Sequence, residues 1–123
     1  MLVAILGASD NPARYAYRAW RELKKHGHDT LLINPRLRAI EGQTCYDSVS
    51  SMAKAHPGAI DTVTVYLAPE RSLPLLEDLA ALKPRRVIAN PGAESAQLRN
   101  AVLAAGSDYV EACTLVMLAT GQF

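Results

Sequence analysis

Cysteine is scarce in this chain of 123 residues: Cys45 and Cys113 stand far apart, with no C-x-x-C pair. The three histidines form no cluster with them, so neither a disulfide framework nor a metal site is expected. That usage fits a reducing, cytoplasmic setting. Charge of one sign is also lacking. Thirteen basic and twelve acidic residues are interspersed for a net charge of +1, and no basic run exceeds Lys24-Lys25 or Arg85-Arg86. Nothing in the bulk electrostatics argues for nucleic acid or a membrane surface as partner. No apolar run nears the ~20 residues of a membrane span, and residues 1 to 6 are too few, and lack the basic flank, for a secretory segment. The reading is a soluble, untargeted chain. Two phosphate signatures are incomplete. The dinucleotide fingerprint G-x-G-x-x-G finds Gly7, Ser9 and Pro12 at its three places, and no Gly-Lys-Ser/Thr follows for a P-loop.

What is present is enough apolar material for a core. Half the residues are hydrophobic and 20% are charged, which fits one globular domain over residues 1 to 123. Leu2 to Leu6 reads as a strand buried on both faces, and Gly7 falls where the chain must leave the sheet. Ala8 and Ser9 are too small to keep a ligand from the backbone. Asp10, Asn11 and Pro12 are residue types that start helices, and the spacing predicts a helix over 13 to 26. Its inward face carries Ala16, Ala19, Trp20 and Leu23, and Gly27 caps it. A second buried strand, Leu31 to Ile33, stops at Asn34-Pro35 and completes a βαβ unit. His26 and His28 flank the turn before it and read as solvent-exposed.

Residues 36 to 48 read as a loop with a short edge strand near Thr44 to Tyr46. A helix over 49 to 55 is capped by Asp47 or Ser48 and broken at Pro57-Gly58. Further strands follow: a central one at Thr62 to Tyr66, a buried one at Arg86 to Ala89 and a last short one at Asp108 to Val110. Helices are expected over 70 to 82, with Pro74 in the first turn, over 95 to 105, and over 112 to 119. Such alternation implies a parallel sheet of five to six strands with helices on both faces, in three layers.

Ligands of such sheets sit at the carboxyl ends of the strands, where strand order reverses. The loops concerned are Gly7 to Tyr15, Asn34 to Arg38, Tyr66 to Arg71 and Asn90 to Glu94. Backbone amides at the start of the first helix, together with Ser9, Arg14, Asn34, Arg36, Arg38, Tyr66 and Arg71, suit phosphates with an adenine against an apolar wall. An acid after the second strand would select a free ribose hydroxyl; the residues here are Asn-Pro-Arg, which accommodates a ribose phosphate. Arg14 has a plainer reading as a solvated helix residue, and of Tyr15 and Tyr17 one is expected near phosphate and the other packed. Asp10 would repel a diphosphate and is expected to turn away as a helix cap.

The ordered set of Gly7-Ala8-Ser9, Arg14, Asn34-Pro35, Gly42-x-x-x-Tyr46 and Pro91-Gly92-Ala93 resembles the small stand-alone CoA-binding domain family, itself similar to the nucleotide-binding domain of the succinyl-CoA synthetase α-subunit. The resemblance covers nearly the whole chain. It implies a Rossmann-like domain holding coenzyme A or an acyl-CoA, acting as a non-catalytic binding or regulatory module. Gly7, Ala8, Ser9 and Arg14 would lie around the pyrophosphate; Tyr15, at the helix start, is counted with the ligand contacts from its position alone. Asn34, Pro35 and Arg36 would lie near the phosphorylated ribose, with Tyr66 and the Pro91, Gly92 and Ala93 loop walling the cleft. Asn90 departs from the glutamine that the family pattern has before Pro-Gly. Cys113 matches a cysteine of the family just past the last strand, where a mixed disulfide with the ligand thiol is conceivable; the weightier reading is a small hydrophobe within CTLVML.

The alternative is an NADP-dependent oxidoreductase or a redox-sensing nucleotide-binding protein. A reductase would need a second domain, or dimerisation, to bring substrate to the nicotinamide. No catalytic residue is assigned, since no histidine is expected near either cysteine. The VMLATGQF tail is apolar enough to cover a homodimer interface.

Overall fold

The computed structural model describes residues 1–58 and 60–123. The run Leu2–Leu6 forms the central strand, β1, and Val3, Ala4, Ile5 and Leu6 are all at most 1% exposed, as a strand covered on both faces requires. Around it lie β2 (Asp29–Ile33), β3 (Ala39–Ile40), β4 (Gln43–Tyr46), β5 (Thr62–Val65), β6 (Arg86–Ala89) and β7 (Asp108–Glu111). The spatial order is β3-β4-β2-β1-β5-β6-β7, and every pairing is parallel except the β3–β4 hairpin. The seven-stranded sheet exceeds the five to six expected. The addition is β3, part of the segment read as loop. Glu41 (φ +49°) and Gly42 (φ +84°) both take left-handed backbone at a two-residue hairpin turn.

Among the described residues six α-helices complete three layers: α1 (Tyr15–Lys25), α2 (Val49–Ala55), α3 (Pro69–Ser72), α4 (Leu76–Leu82), α5 (Ala96–Ala104) and α6 (Thr114–Ala119). On one face Ala16, Trp20 and Leu23 of α1 and Leu118 of α6 cover Val3, Ile5 and Leu32. On the other, Val49 and Met52 of α2, Leu79 of α4, and Leu98 and Val102 of α5 cover Leu6, Ile33, Val63 and Val87. This is a three-layer, Rossmann-like α/β fold. Helix crossovers run one way from β1 to β2 and the other way from β5 to β7, so strand order reverses between β1 and β5.

Helix starts and stops differ from expectation in two places. α1 begins at Tyr15 with Arg14 as its cap residue, and no side chain caps it. Asp10, Asn11 and Pro12 lie outside the helix, so Asp10 is not its cap. The reason is local competition: Ser9 Oγ accepts from Asn11 N–H (3.1 Å), Asn11 Oδ1 from Ala13 N–H (3.0 Å), and Asn11 C=O from Arg14 N–H (2.9 Å). The helix expected over 70 to 82 is divided by a 3₁₀ turn at Leu73–Leu75 that contains Pro74, leaving Leu73 54% exposed. Ser48, one of the two candidate caps, caps α2 and accepts from Ser51 N–H.

His28 is half-buried rather than exposed. Its Nδ1 lies 3.2 Å from the Met1 ammonium, and its ring packs 5.1 Å from that of Phe123. Burial holds its pKa below the ordinary histidine value, with the ammonium acting in the same direction. Phe123 also stacks under the Arg86 guanidinium at 4.5 Å, so this aromatic of the C-terminal tail packs on its own chain.

Asn90 ties the layers together where β6 ends. Its Nδ2 donates to Thr64 Oγ1 (2.7 Å) and to Val65 C=O (2.9 Å), while its Oδ1 accepts from Thr114 N–H at the start of α6 (2.9 Å). Thr64 and Thr114 hydroxyls meet at 2.8 Å, and both residues are fully buried. Asn90→Ala leaves the Thr114 N–H without its acceptor inside the protein. The expected result is a loss of about 1–3 kcal/mol in urea unfolding with an unchanged m value; a variant as stable as the parent would show that water replaces the asparagine without loss.

Candidate functional site

Four loops leave the carboxyl ends of β1, β2, β5 and β6 and meet where strand order reverses. The first is set by Gly7, whose φ of +90° is open to glycine and strained for other residues. A Cβ there would lie 3.0 Å from Leu67 Cδ2 and 3.2 Å from the Tyr66 carbonyl carbon, so the β5 loop presses directly on this glycine. Gly7 N–H (3.1 Å) and Ala8 N–H (3.0 Å) both donate to Ile33 C=O at the end of β2. These two amides are therefore used within the protein, and the free donors lie further along. Among the described residues, the N–H groups of Ser9, Tyr15, Ala16 and Tyr17 meet no acceptor. The last three are the first turn of α1, where the helix dipole is positive.

Side chains around this turn differ in exposure. Tyr15 is 66% exposed, with the Arg18 guanidinium 5.7 Å from its ring centre. Tyr17 packs edge-on against Trp20 and hydrogen-bonds Glu41, which also pairs with Arg21 at 2.9 Å. Arg14, Arg36, Arg38 and Arg71 are exposed and have no acidic partner among the described residues. Asn34 is half-buried: its Nδ2 donates to Ala8 C=O (2.7 Å) and its Oδ1 accepts from Arg36 N–H (2.8 Å). Pro35 is exposed beside it.

Tyr66 has its ring partly exposed and its hydroxyl sealed from solvent without a hydrogen-bond partner. Burial pushes its pKa up to about 12, so the phenol is neutral at physiological pH. After β6, Ala93 N–H closes on Asn90 C=O (2.8 Å), and Gly92 N–H donates to the Glu94 carboxylate (2.6 Å). Pro91 and Gly92 are exposed and Ala93 is buried. Cys113 is half-buried at the start of α6, and Cys45 is buried, which raises its thiol pKa. The structure thus brings the Gly7–Tyr15 segment and Asn34–Arg36 into direct contact through Ile33 and Asn34, and Tyr66–Leu67 against Gly7.

Sequence reasoning missed the Asn90–Thr64–Thr114 knot and the Glu94 contact. The signal for the first was available: threonines alternating in a buried strand need partners, and an asparagine ends the next strand. Two cavities open on the surface beside these loops. One of about 130 Å³ is lined by Pro69, Leu73, Leu76, Ser95 and others, and one of about 400 Å³ lies between α1 and α6, lined by Tyr17, Arg18, Arg21, Glu22, Leu115 and Ala119. Among the described residues no group of three His, Cys, Asp or Glu is placed to hold a metal ion, and no helix is long and apolar enough to cross a membrane.

Comparison with known proteins agrees with this architecture. A crystal structure of an uncharacterized protein is 36% identical, with a TM-score of 0.87, covering 99% of this chain and 97% of that one. A structure from Thermus thermophilus is 27% identical, with a TM-score of 0.85 and coverage of 99% and 90%. The dinucleotide-forming acetyl-coenzyme A synthetase of Korarchaeum cryptofilum shares the fold at 19% identity, with a TM-score of 0.71; 88% of this chain matches 25% of that one. No protein of curated function matches. The model of the CoA binding domain family matches residues 2–119, and the chain belongs to that family.

Proposed function

We propose that the four-loop crevice holds coenzyme A or an acyl-CoA, and that the protein acts as a non-catalytic binding or regulatory module. The observation that carries the reading is the first turn of α1: three amides and Ser9 N–H without acceptors, no side-chain cap, and small residues Ala8 and Ser9 beside it. Its donor chemistry fits a pyrophosphate, because an anion there completes the helix terminus and meets the positive end of its dipole. The unpaired guanidinium of Arg14 adds a cation at the same place, and Tyr15 offers an exposed ring.

Arg36, held in its turn by the Asn34 side chain, fits the additional phosphate on the ribose of coenzyme A. Tyr66, Leu67 and the Pro91–Gly92–Ala93 bend form the wall, apolar enough for an adenine or for the aliphatic arm. When bound, coenzyme A supplies a thiol able to carry an acyl group. No residue here is assigned to act on that bond. The Gly92 N–H is taken by Glu94, so this bend contributes shape before it contributes hydrogen bonds.

An NADP-dependent reductase would share the phosphate positions but would answer to different ligands. Coenzyme A at 100 times its dissociation constant is expected to stabilise the protein by ~2.7 kcal/mol in thermal unfolding. NAD and FMN are expected to give none of this at equal concentration. Stabilisation by NADPH without a response to coenzyme A would transfer the assignment to the reductase. Arg36→Ala is expected to lower affinity for coenzyme A by about tenfold or more while leaving that for dephospho-CoA nearly unchanged. Calorimetry with both ligands checks this, and an unaltered ratio of the two affinities would remove Arg36 from the phosphate site.

A further inference from the structure

Asn34 makes more contacts between loops than any reading as a ligand contact requires. Its main chain is fixed by Asn34 N–H donating to Tyr46 C=O at the end of β4 (2.9 Å), and its carbonyl accepts from Leu37 N–H (3.3 Å). Its side-chain amide then reaches both ways. The Nδ2 group bonds Ala8 C=O in the loop that leads to α1, and Oδ1 bonds Arg36 N–H in the turn after β2. The orientation of the amide is fixed by these partners, since a carbonyl needs the NH₂ and an N–H needs the oxygen.

We infer that Asn34 is a positioning residue, the strut that holds the Arg36 turn at a fixed offset from the Ala8–Ser9 loop and so sets discrimination for the phosphate on the ribose. The inference rests on the coenzyme A reading above. Its physical basis is the geometry of the strut. A long arginine side chain recognises a phosphate tightly only when its main chain is held, because ordering a free turn subtracts from the gain on binding. Asparagine alone fits the span. Aspartate lacks the donor for Ala8 C=O, and glutamine is one methylene too long to keep both bonds.

A merely structural asparagine would behave differently from a strut, and two measurements separate them. Without ligand, amide hydrogen exchange at Arg36 in Asn34→Ala is expected to quicken by about tenfold or more relative to the parent, as the N–H loses its acceptor. With ligand, Asn34→Ala and Asn34→Gln are expected to shrink the preference for coenzyme A over dephospho-CoA towards the value shown by Arg36→Ala. In the Arg36→Ala background, adding Asn34→Ala should change that preference by less than about twofold, since both substitutions act through one contact.

Equal weakening of both ligands, with the preference intact, would overturn the inference and leave Asn34 as a brace of the fold. An unchanged Arg36 exchange rate in Asn34→Ala would do the same without any ligand present. The parent protein supplies the separate check. If it binds neither coenzyme A nor dephospho-CoA, the ligand reading fails, while the exchange rates still report on the strut.

Discussion

The carbonyl of Ile33 accepts from two successive amides, those of Gly7 and Ala8, and the arrangement of the carboxyl-end loops depends on that double contact. It pins the end of β1 to the end of β2 and sends the chain out of the sheet in one direction. The left-handed backbone at Gly7 is what allows both N–H groups to point at one oxygen, and the Leu67 side chain closes over the same spot. Once the exit is fixed, the self-bonded stretch from Ser9 to Arg14 carries the chain to Tyr15, and α1 begins with its first amides unclaimed. A family whose ligand carries phosphates is served by that arrangement, since the acceptor for those amides must come from outside the chain.

Two kinds of polar group recur in the carboxyl-end loops. Asn34 and Asn90, both asparagines that end buried strands, spend their amides on other loops. The arginines at positions 14, 36, 38 and 71 have no acidic partner among the described residues. Satisfied asparagines fix the shape, and unsatisfied cations face outward. Buried polar groups that are fully paired specify one arrangement of the loops, because any other leaves a donor or acceptor bare.

Much of this was legible in the residues. The apolar runs Leu2–Leu6, Leu31 to Ile33, Thr62 to Tyr66 and Arg86 to Ala89 announced interior strands, the third ending one residue earlier in the structure, and the apolar spacing of Ala16, Ala19, Trp20 and Leu23 announced α1. Knowing that the strands run parallel then fixed which loops share one end. The ordered motifs from Gly7 to Ala93 pointed to the family to which the chain belongs. The hairpin at Glu41-Gly42 escaped because glutamate is a weak signal for left-handed backbone, and because β3 is two residues long. The start of α1 was misplaced since Asp10, Asn11 and Pro12 serve equally as helix starters and as turn formers, and side-chain bonds from Ser9 and Asn11 decide for the turn. Asn90 departs from the glutamine of the family pattern; the threonines of one buried strand and the asparagine after the next signal a pairing, but nothing in the chain marks Thr114, 24 residues further on, as its third member.

Met1, His28, Arg86 and Phe123 meet at the opposite edge of the sheet, where the strands begin. Residue 1 and residue 123 therefore lie side by side, with the full depth of the molecule between them and the loops at the carboxyl ends of the strands. A tag, a tether to a surface or a fused partner attached at either extremity would project away from the crevice. The same proximity makes the chain a natural insert, able to be spliced into a host protein through two adjacent junctions.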